Sequence, residues 1–183
     1  PPVVKHNILK QYARKYRLGV LVETGTCMGD TVEALRRVMR RIYSIELGQE
    51  LHQLAVKRFQ GCRHIELIRG DSGREIGKLL KNLDEPALFW LDGHYSGNGT
   101  AQGAKDTPIR EEVDSILAAL DLGHVILIDD ARMFGTDPGY PSLEEVRASV
   151  LSRRPAAEIV VEDDIIRIVP GRRAVLGLGL SHS

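Results

Sequence analysis

Only two cysteines, Cys27 and Cys62, occur in 183 residues. They form no metal-ligand spacing, and two alone do not build a disulfide framework. A reducing compartment, the cytoplasm, is the expectation. Net charge is lacking too, because 25 Lys and Arg balance 25 Asp and Glu. Nothing in that balance favours wrapping nucleic acid or lying on a membrane surface, and neither is an expected partner. No apolar run approaches the roughly 18 residues of a membrane span. No signal peptide is read. The chain starts at Pro1 rather than Met, which leaves room for residues upstream. Internal repeats and a second domain are also missing. What remains, 43% hydrophobic and 27% charged residues, is ordinary for a globular domain. The length suffices for a sizeable core. The expectation is one domain over residues 1–183, with an N-terminal helix at 1–17 and a tail at 171–183.

Residues 18–46 organise the rest. Leu18 to Val22 is a short apolar run suited to a buried strand, and Glu23 ends it. Gly25 and Gly29 bracket a turn where backbone can approach a ligand. Asp30 can cap the next helix, with Glu33 as its reciprocal partner. Leu35, Val38 and Met39 give that helix an apolar face. Ile42 to Ile45 reads as a second strand, with Glu46 at its carboxyl end. Parallel strands joined by a helix put Gly25 and Glu46 on one sheet edge, where open α/β folds bind ligands. Glu46 there can accept hydrogen bonds from ribose hydroxyls.

Two things are absent from the turn. The third glycine of the dinucleotide fingerprint is missing, and so is the lysine of the phosphate-cradling loop. Asp30 follows Gly29 instead, and an aspartate repels phosphate. The site suits a ligand with a ribose and no pyrophosphate.

Further along, Val3 to Arg17 reads as a helix with Val4, Ile8, Tyr12 and Tyr16 on one side. Leu51, Leu54, Ala55 and Phe59 mark a helix that Gly61 stops. A third strand spans His64 to Ile68, and Ser72 with Glu75 can cap the helix after it. Ala87 to Leu91 is the fourth strand, and the glycine-rich stretch His94 to Thr107 follows. Thr107-Pro108 opens a helix with Ile109, Val113, Ile116, Leu117 and Leu120 on its buried stripe. Val125 to Ile128 is the fifth strand. Ser142 and Glu145 make a capping box, and Ile159–Val161 with Ile165–Val169 form a hairpin. The predicted fold is α/β: a mostly parallel seven-stranded Rossmann-like sheet, helices on both faces, and a C-terminal antiparallel hairpin.

The pattern E-x-G-x-x-x-G at Glu23 to Gly29, followed by a strand ending in Glu46, resembles the class I S-adenosylmethionine-dependent methyltransferases. The likeness runs from about Leu18 to Val169. It implies S-adenosylmethionine as cofactor. Its binding residues would be Glu23, Gly25, Thr26, Cys27, Gly29 and Thr31 in the turn, and Glu46 at the ribose. Asp71, Ser72 and Asp92 would complete the set. Asp71 matches the position that reaches the adenine amino group, or is simply a turn residue.

Asp92, Asp129 and Asp130 fall at the carboxyl ends of strands four and five. Three anions at one rim repel one another, and a hard divalent cation such as Mg²⁺ relieves that cost. The plainer reading is capping or water binding, with Arg132 as counter-ion. D-G-H at strand four and I-D-D at strand five resemble the metal-dependent macrocin-type sugar O-methyltransferases. That resemblance implies metal ligation by Asp92, Asp129 and Asp130, and a catalytic role for Asp92 and His94. His94 would be the general base, or a residue bonded to loop backbone. The expected substrate is a small hydroxylated molecule, and a homodimer is left open. The competing readings are a nicotinamide-dependent oxidoreductase and a cofactor-binding domain without turnover.

Overall fold

A computed structural model describes residues 2–93 and 107–171. The chain runs α1 (Pro2–Lys15), β1 (Val20–Thr24), α2 (Asp30–Leu35), β2 (Arg41–Glu46), α3 (Gln49–Arg58), β3 (Ile65–Arg69), α4 (Ser72–Leu80) and β4 (Ala87–Leu91). Then follow α5 (Ile109–Ala118), β5 (Val125–Ile128), a 3₁₀ turn (Ala131–Met133), α6 (Leu143–Arg153), β6 (Glu158–Glu162) and β7 (Ile165–Val169). One seven-stranded sheet has the order β3-β2-β1-β4-β5-β7-β6. β1 to β5 pair in parallel, and β7 joins β5 and β6 antiparallel. The predicted architecture holds. Among the described residues no helix is long and apolar enough to cross a membrane.

The strands alternate between two cores, as a period of two demands. Val20, Val22, Phe89, Leu91, Ile126 and Ile128 meet Ile76 of α4, Ile116 of α5 and Val150 of α6. Leu21, Leu88, Trp90 and Leu127 meet Leu9 of α1, Val32 of α2 and Phe59 at the C-terminal cap of α3. Both faces of the central strands are therefore covered, and β1, β4 and β5 read as nearly continuous apolar runs for that reason, whereas β3 and β6 are partly exposed. His124 belongs to this packing. It accepts a hydrogen bond from the Ala87 amide at 3.1 Å and stands edge-on to Phe89. Burial lowers its pKa to about 4, so it stays neutral.

Several local expectations shift. The stripe of α1 is turned by one residue: Ile8, Leu9 and Ala13 are buried, whereas Val4 is exposed. α2 stops at Leu35, and Met39 reaches the core from the turn beyond it. Asp30 does not cap α2; it pairs with Arg58 at 2.8 Å. Asp71, not Ser72, caps α4, accepting from the Gly73 amide at 3.0 Å. Leu120 falls past the end of α5 and is exposed. The capping box of Ser142 and Glu145 forms as expected.

Strand order reverses at β1. The chain lays β2 and β3 on one side, then returns to place β4 on the other. Ligands of open α/β sheets bind outside the carboxyl ends at such a switch. Register aligns the residues that matter. Thr24 lies beside Ile45 and Leu91, and Leu91 beside Ile128. Gly25, Glu46, Asp92 and Asp129 thus leave the sheet along one edge.

Candidate active site

The turn after β1 is built by two left-handed glycines. Gly25 has φ +80, and a Cβ there would stand 2.5 Å from the Asp92 carbonyl oxygen. Gly29 has φ +79, and a Cβ would meet the Phe59 ring at 2.7 Å. Both positions exclude a side chain by conformation and by space. Glu46 holds the turn from the next strand. Its Oε2 accepts from the Cys27 amide at 2.9 Å, and its Oε1 from the Gly48 amide at 2.7 Å. Glu46 therefore supports the loop with both carboxylate oxygens.

A buried hydroxyl chain lies under the turn. Thr26 and Ser44 hydroxyls are 2.6 Å apart, and Ser44 donates to Glu23 Oε2 at 2.5 Å. Thr31 also bonds Glu23. Burial pushes the Glu23 carboxyl up to about 7, against the opposing pull of Ser44 and Thr31. Thr31 thus meets Glu23 on the inner side of α2, and Cys27 is exposed at the turn's tip.

On the other side of β1, Ser72 spends its hydroxyl on Glu112 Oε1 at 2.5 Å. Glu112 is fully buried on α5 and also bonds Thr24. Thr24 Oγ1 in turn accepts from the Asp92 amide at 3.3 Å. A polar chain therefore runs Ser72–Glu112–Thr24–Asp92. The sequence reading missed Glu112, although the signal was present. It sits three residues after Ile109 and four before Ile116, inside an apolar stripe.

Burial pushes Glu112 up to about 7. A carboxyl whose folded pKa lies above its unfolded value contributes stability at low pH. That contribution is lost as pH rises through the folded value. Glu112→Gln should therefore gain stability relative to the parent chain between pH 5 and 8. Melting temperatures measured across that range check this, and a variant-minus-parent difference that falls with rising pH contradicts it.

Asp92, Asp129 and Asp130 do converge, each offering an oxygen within 4.8 Å of the others. Asp129 and Asp130 are buried. Burial, and then the charge of Asp129, pushes the Asp92 carboxyl up to about 8, although Lys5 pulls the other way. Among the described residues, two cations attend the cluster. Arg132 reaches Asp130 at 2.9 Å and also pairs with Asp164. Lys5 Nζ, from α1, reaches Asp129 Oδ2 at 2.5 Å. Lys5 was not foreseen. It precedes Ile8 and Leu9 by three and four residues, on the buried side of α1. His94, the expected base, lies outside the described residues.

Glu46→Ala should weaken S-adenosylhomocysteine binding by about 1.5–3 kcal/mol, the range for hydrogen bonds to a charged group. The melting temperature should fall as well, because the Cys27 and Gly48 amides lose their acceptor. Calorimetric titration and a melting curve read the two effects separately. Unchanged affinity would remove Glu46 from the site.

No protein-family model and no curated protein matches the chain. Solved structures do. An S-adenosylhomocysteine-bound methyltransferase of Podospora anserina, PaMTH1, superposes with TM-score 0.61 at 18% identity, over 91% of this chain and 77% of that one. The O-methyltransferase TomG of Streptomyces achromogenes, solved with S-adenosylmethionine, gives 0.60 at 20%, over 91% and 80%. The 23S rRNA methyltransferase ErmE gives 0.56 at 19%, over 91% and 68%. At such identities the likeness concerns the fold. The chain has the seven-stranded Rossmann-like fold of the S-adenosylmethionine-dependent methyltransferases.

Proposed function

We propose that this protein transfers the methyl group of S-adenosylmethionine to a hydroxyl oxygen of a small molecule. The observation that carries the reading is the Gly25–Gly29 turn tied to Glu46 beside an acidic centre at the β4 and β5 ends. A ribose fits against Glu46, and no pyrophosphate cradle exists beside Asp30. Asp71 at the head of α4 is the acceptor for the adenine amino group, while its Oδ1 also serves the Gly73 amide. Ser72 and Thr24 are held by Glu112, which fixes the wall between the adenine end and Asp92.

A hard divalent cation at Asp92, Asp129 and Asp130 belongs to the same reading. The donor set is all oxygen, as Mg²⁺ prefers. Burial first, and then the charge of Asp129, hold Asp92 towards its protonated form even with Lys5 nearby, and a bound cation would favour the carboxylate. The ion fits once Asp129 is free to turn one oxygen towards it. Bound there, it would act as a Lewis acid towards the acceptor hydroxyl. The chain's own residues do the rest. Glu46 and the turn align the sulfonium, and the sealed cores behind the edge keep bulk water from one side. His94, two residues after Asp92, removes the acceptor proton.

The test is methyl transfer from labelled S-adenosylmethionine to a panel of sugars, polyols and phenols, with Mg²⁺ and with a chelator. Label in a hydroxylated product that depends on Mg²⁺ supports the reading. Label only in RNA, the substrate class of ErmE, would contradict the small-molecule acceptor.

A further inference from the structure

Lys5 is the one group at the acidic centre contributed from the start of the chain, 124 residues away from its partner Asp129. We infer that the ammonium of Lys5 is the resident counter-ion of this centre, and that a divalent cation binds there only by displacing it from Asp129. The inference rests on the cation reading above.

Three carboxylates share a space in which one oxygen of each lies within 4.8 Å of the others. Arg132 serves Asp130 from the exposed side and divides its guanidinium with Asp164. Asp129, which is buried, is served by Lys5. Among the described residues, Lys5 is thus the cation set against the buried Asp129. The ammonium lies against Asp129 Oδ2, and Oδ1 accepts from the Asp130 amide at 2.8 Å. Both oxygens of Asp129 are committed. A metal ion needs one of them, and Oδ1 is tied to local backbone, so Oδ2 is the oxygen that must change partner. Two positive charges at ion-pair distance from one carboxylate oxygen repel each other, so they exclude one another.

Leaving is feasible for this side chain. Lys5 is about 29% exposed whereas Asp129 is about 3% exposed. The lysine can swing its ammonium to water on a flexible stem, while the aspartate stays fixed at the strand end. Arg132 pairs with Asp130 and shares that guanidinium with Asp164, so it leaves the Lys5–Asp129 pair untouched. Displacement also loosens the tether between α1 and the carboxyl edge of β5, so cation loading and the seating of the N-terminal helix are linked. Site occupancy by the metal is then weaker than the three carboxylates alone would give. The loss is the free energy of the Lys5–Asp129 pair.

Calorimetric titration of Mn²⁺ into the full chain tests this without any methyl acceptor. Lys5→Met should bind Mn²⁺ on the order of tenfold more tightly than the parent chain, as removal of a partly buried competing charge predicts. Lys5→Arg keeps the charge and should stay near parental affinity. Adding Asp129→Asn to Lys5→Met should abolish the gain, which locates the ion. If Lys5→Met fails to fold, Lys5→Gln replaces it. Equal Mn²⁺ affinity in the parent and in Lys5→Met overturns the role of Lys5 while leaving the cation reading intact. Weaker binding by Lys5→Met overturns it as well. No Mn²⁺ binding by either protein overturns both.

Discussion

Gly25→Ala should abolish measurable S-adenosylhomocysteine binding and lower stability by about 2–4 kcal/mol. Two costs combine. A non-glycine residue at φ +80 is strained by roughly 1–2 kcal/mol. The added methyl would also stand 2.5 Å from the Asp92 carbonyl, a backbone atom fixed at the end of β4. Backbone must move, and the nearest part free to move is the turn itself. That motion pulls the Cys27 amide off Glu46 and misplaces the cofactor cradle. Gly77→Ala is the control. It lies within α4, with nothing within 4 Å of its added Cβ, and should be neutral or stabilising by about 0.5–1 kcal/mol. Calorimetry and denaturant melts of the two variants check both halves. Normal binding by Gly25→Ala would show that the turn does not form the cofactor site.

His94→Ala should lower turnover by about 10²–10⁴-fold with S-adenosylhomocysteine affinity near that of the parent chain. The Asp92 carboxyl is raised by burial and by Asp129, and it is committed to the acidic centre. On the proposed function, His94 two residues later is the proton acceptor. The parental rate should accordingly fall as pH drops through the imidazole range, because the base becomes protonated. In His94→Ala that limb should vanish from the profile. An equal loss of cofactor affinity would instead assign His94 to binding, and a retained acidic limb would assign the base elsewhere.

How much of this was legible in the sequence follows from the range of the forces involved. The central strands β1, β4 and β5 were readable because burial on both faces leaves nearly unbroken apolar runs. The turn was readable because left-handed backbone selects glycine at Gly25 and Gly29. The α6 cap was readable because Ser142 and Glu145 satisfy each other within four residues. The α4 cap was misread for a tertiary reason. Asp71 and Ser72 are both competent caps, and Glu112, 40 residues later, takes the Ser72 hydroxyl. Local rules cannot rank two neighbours when the deciding partner is that far away. Lys5 is the same case at greater distance. Its meaning appears only when α1 packs against the sheet and its ammonium finds Asp129. Convergence of Asp92, Asp129 and Asp130 was foreseeable, since adjacent strands deliver their ends to one place. Arg132 was foreseeable as a partner of Asp130, but Asp164 in the β6–β7 turn was not.

The account stands or falls on the ligand of the Gly25–Gly29 turn. Calorimetric titration of the full chain with S-adenosylhomocysteine and, separately, with NAD⁺ measures it directly. The account predicts saturable binding of S-adenosylhomocysteine that Glu46→Ala weakens, and no heat with NAD⁺. Tighter binding of NAD⁺, or S-adenosylhomocysteine binding indifferent to both Gly25→Ala and Glu46→Ala, would contradict it.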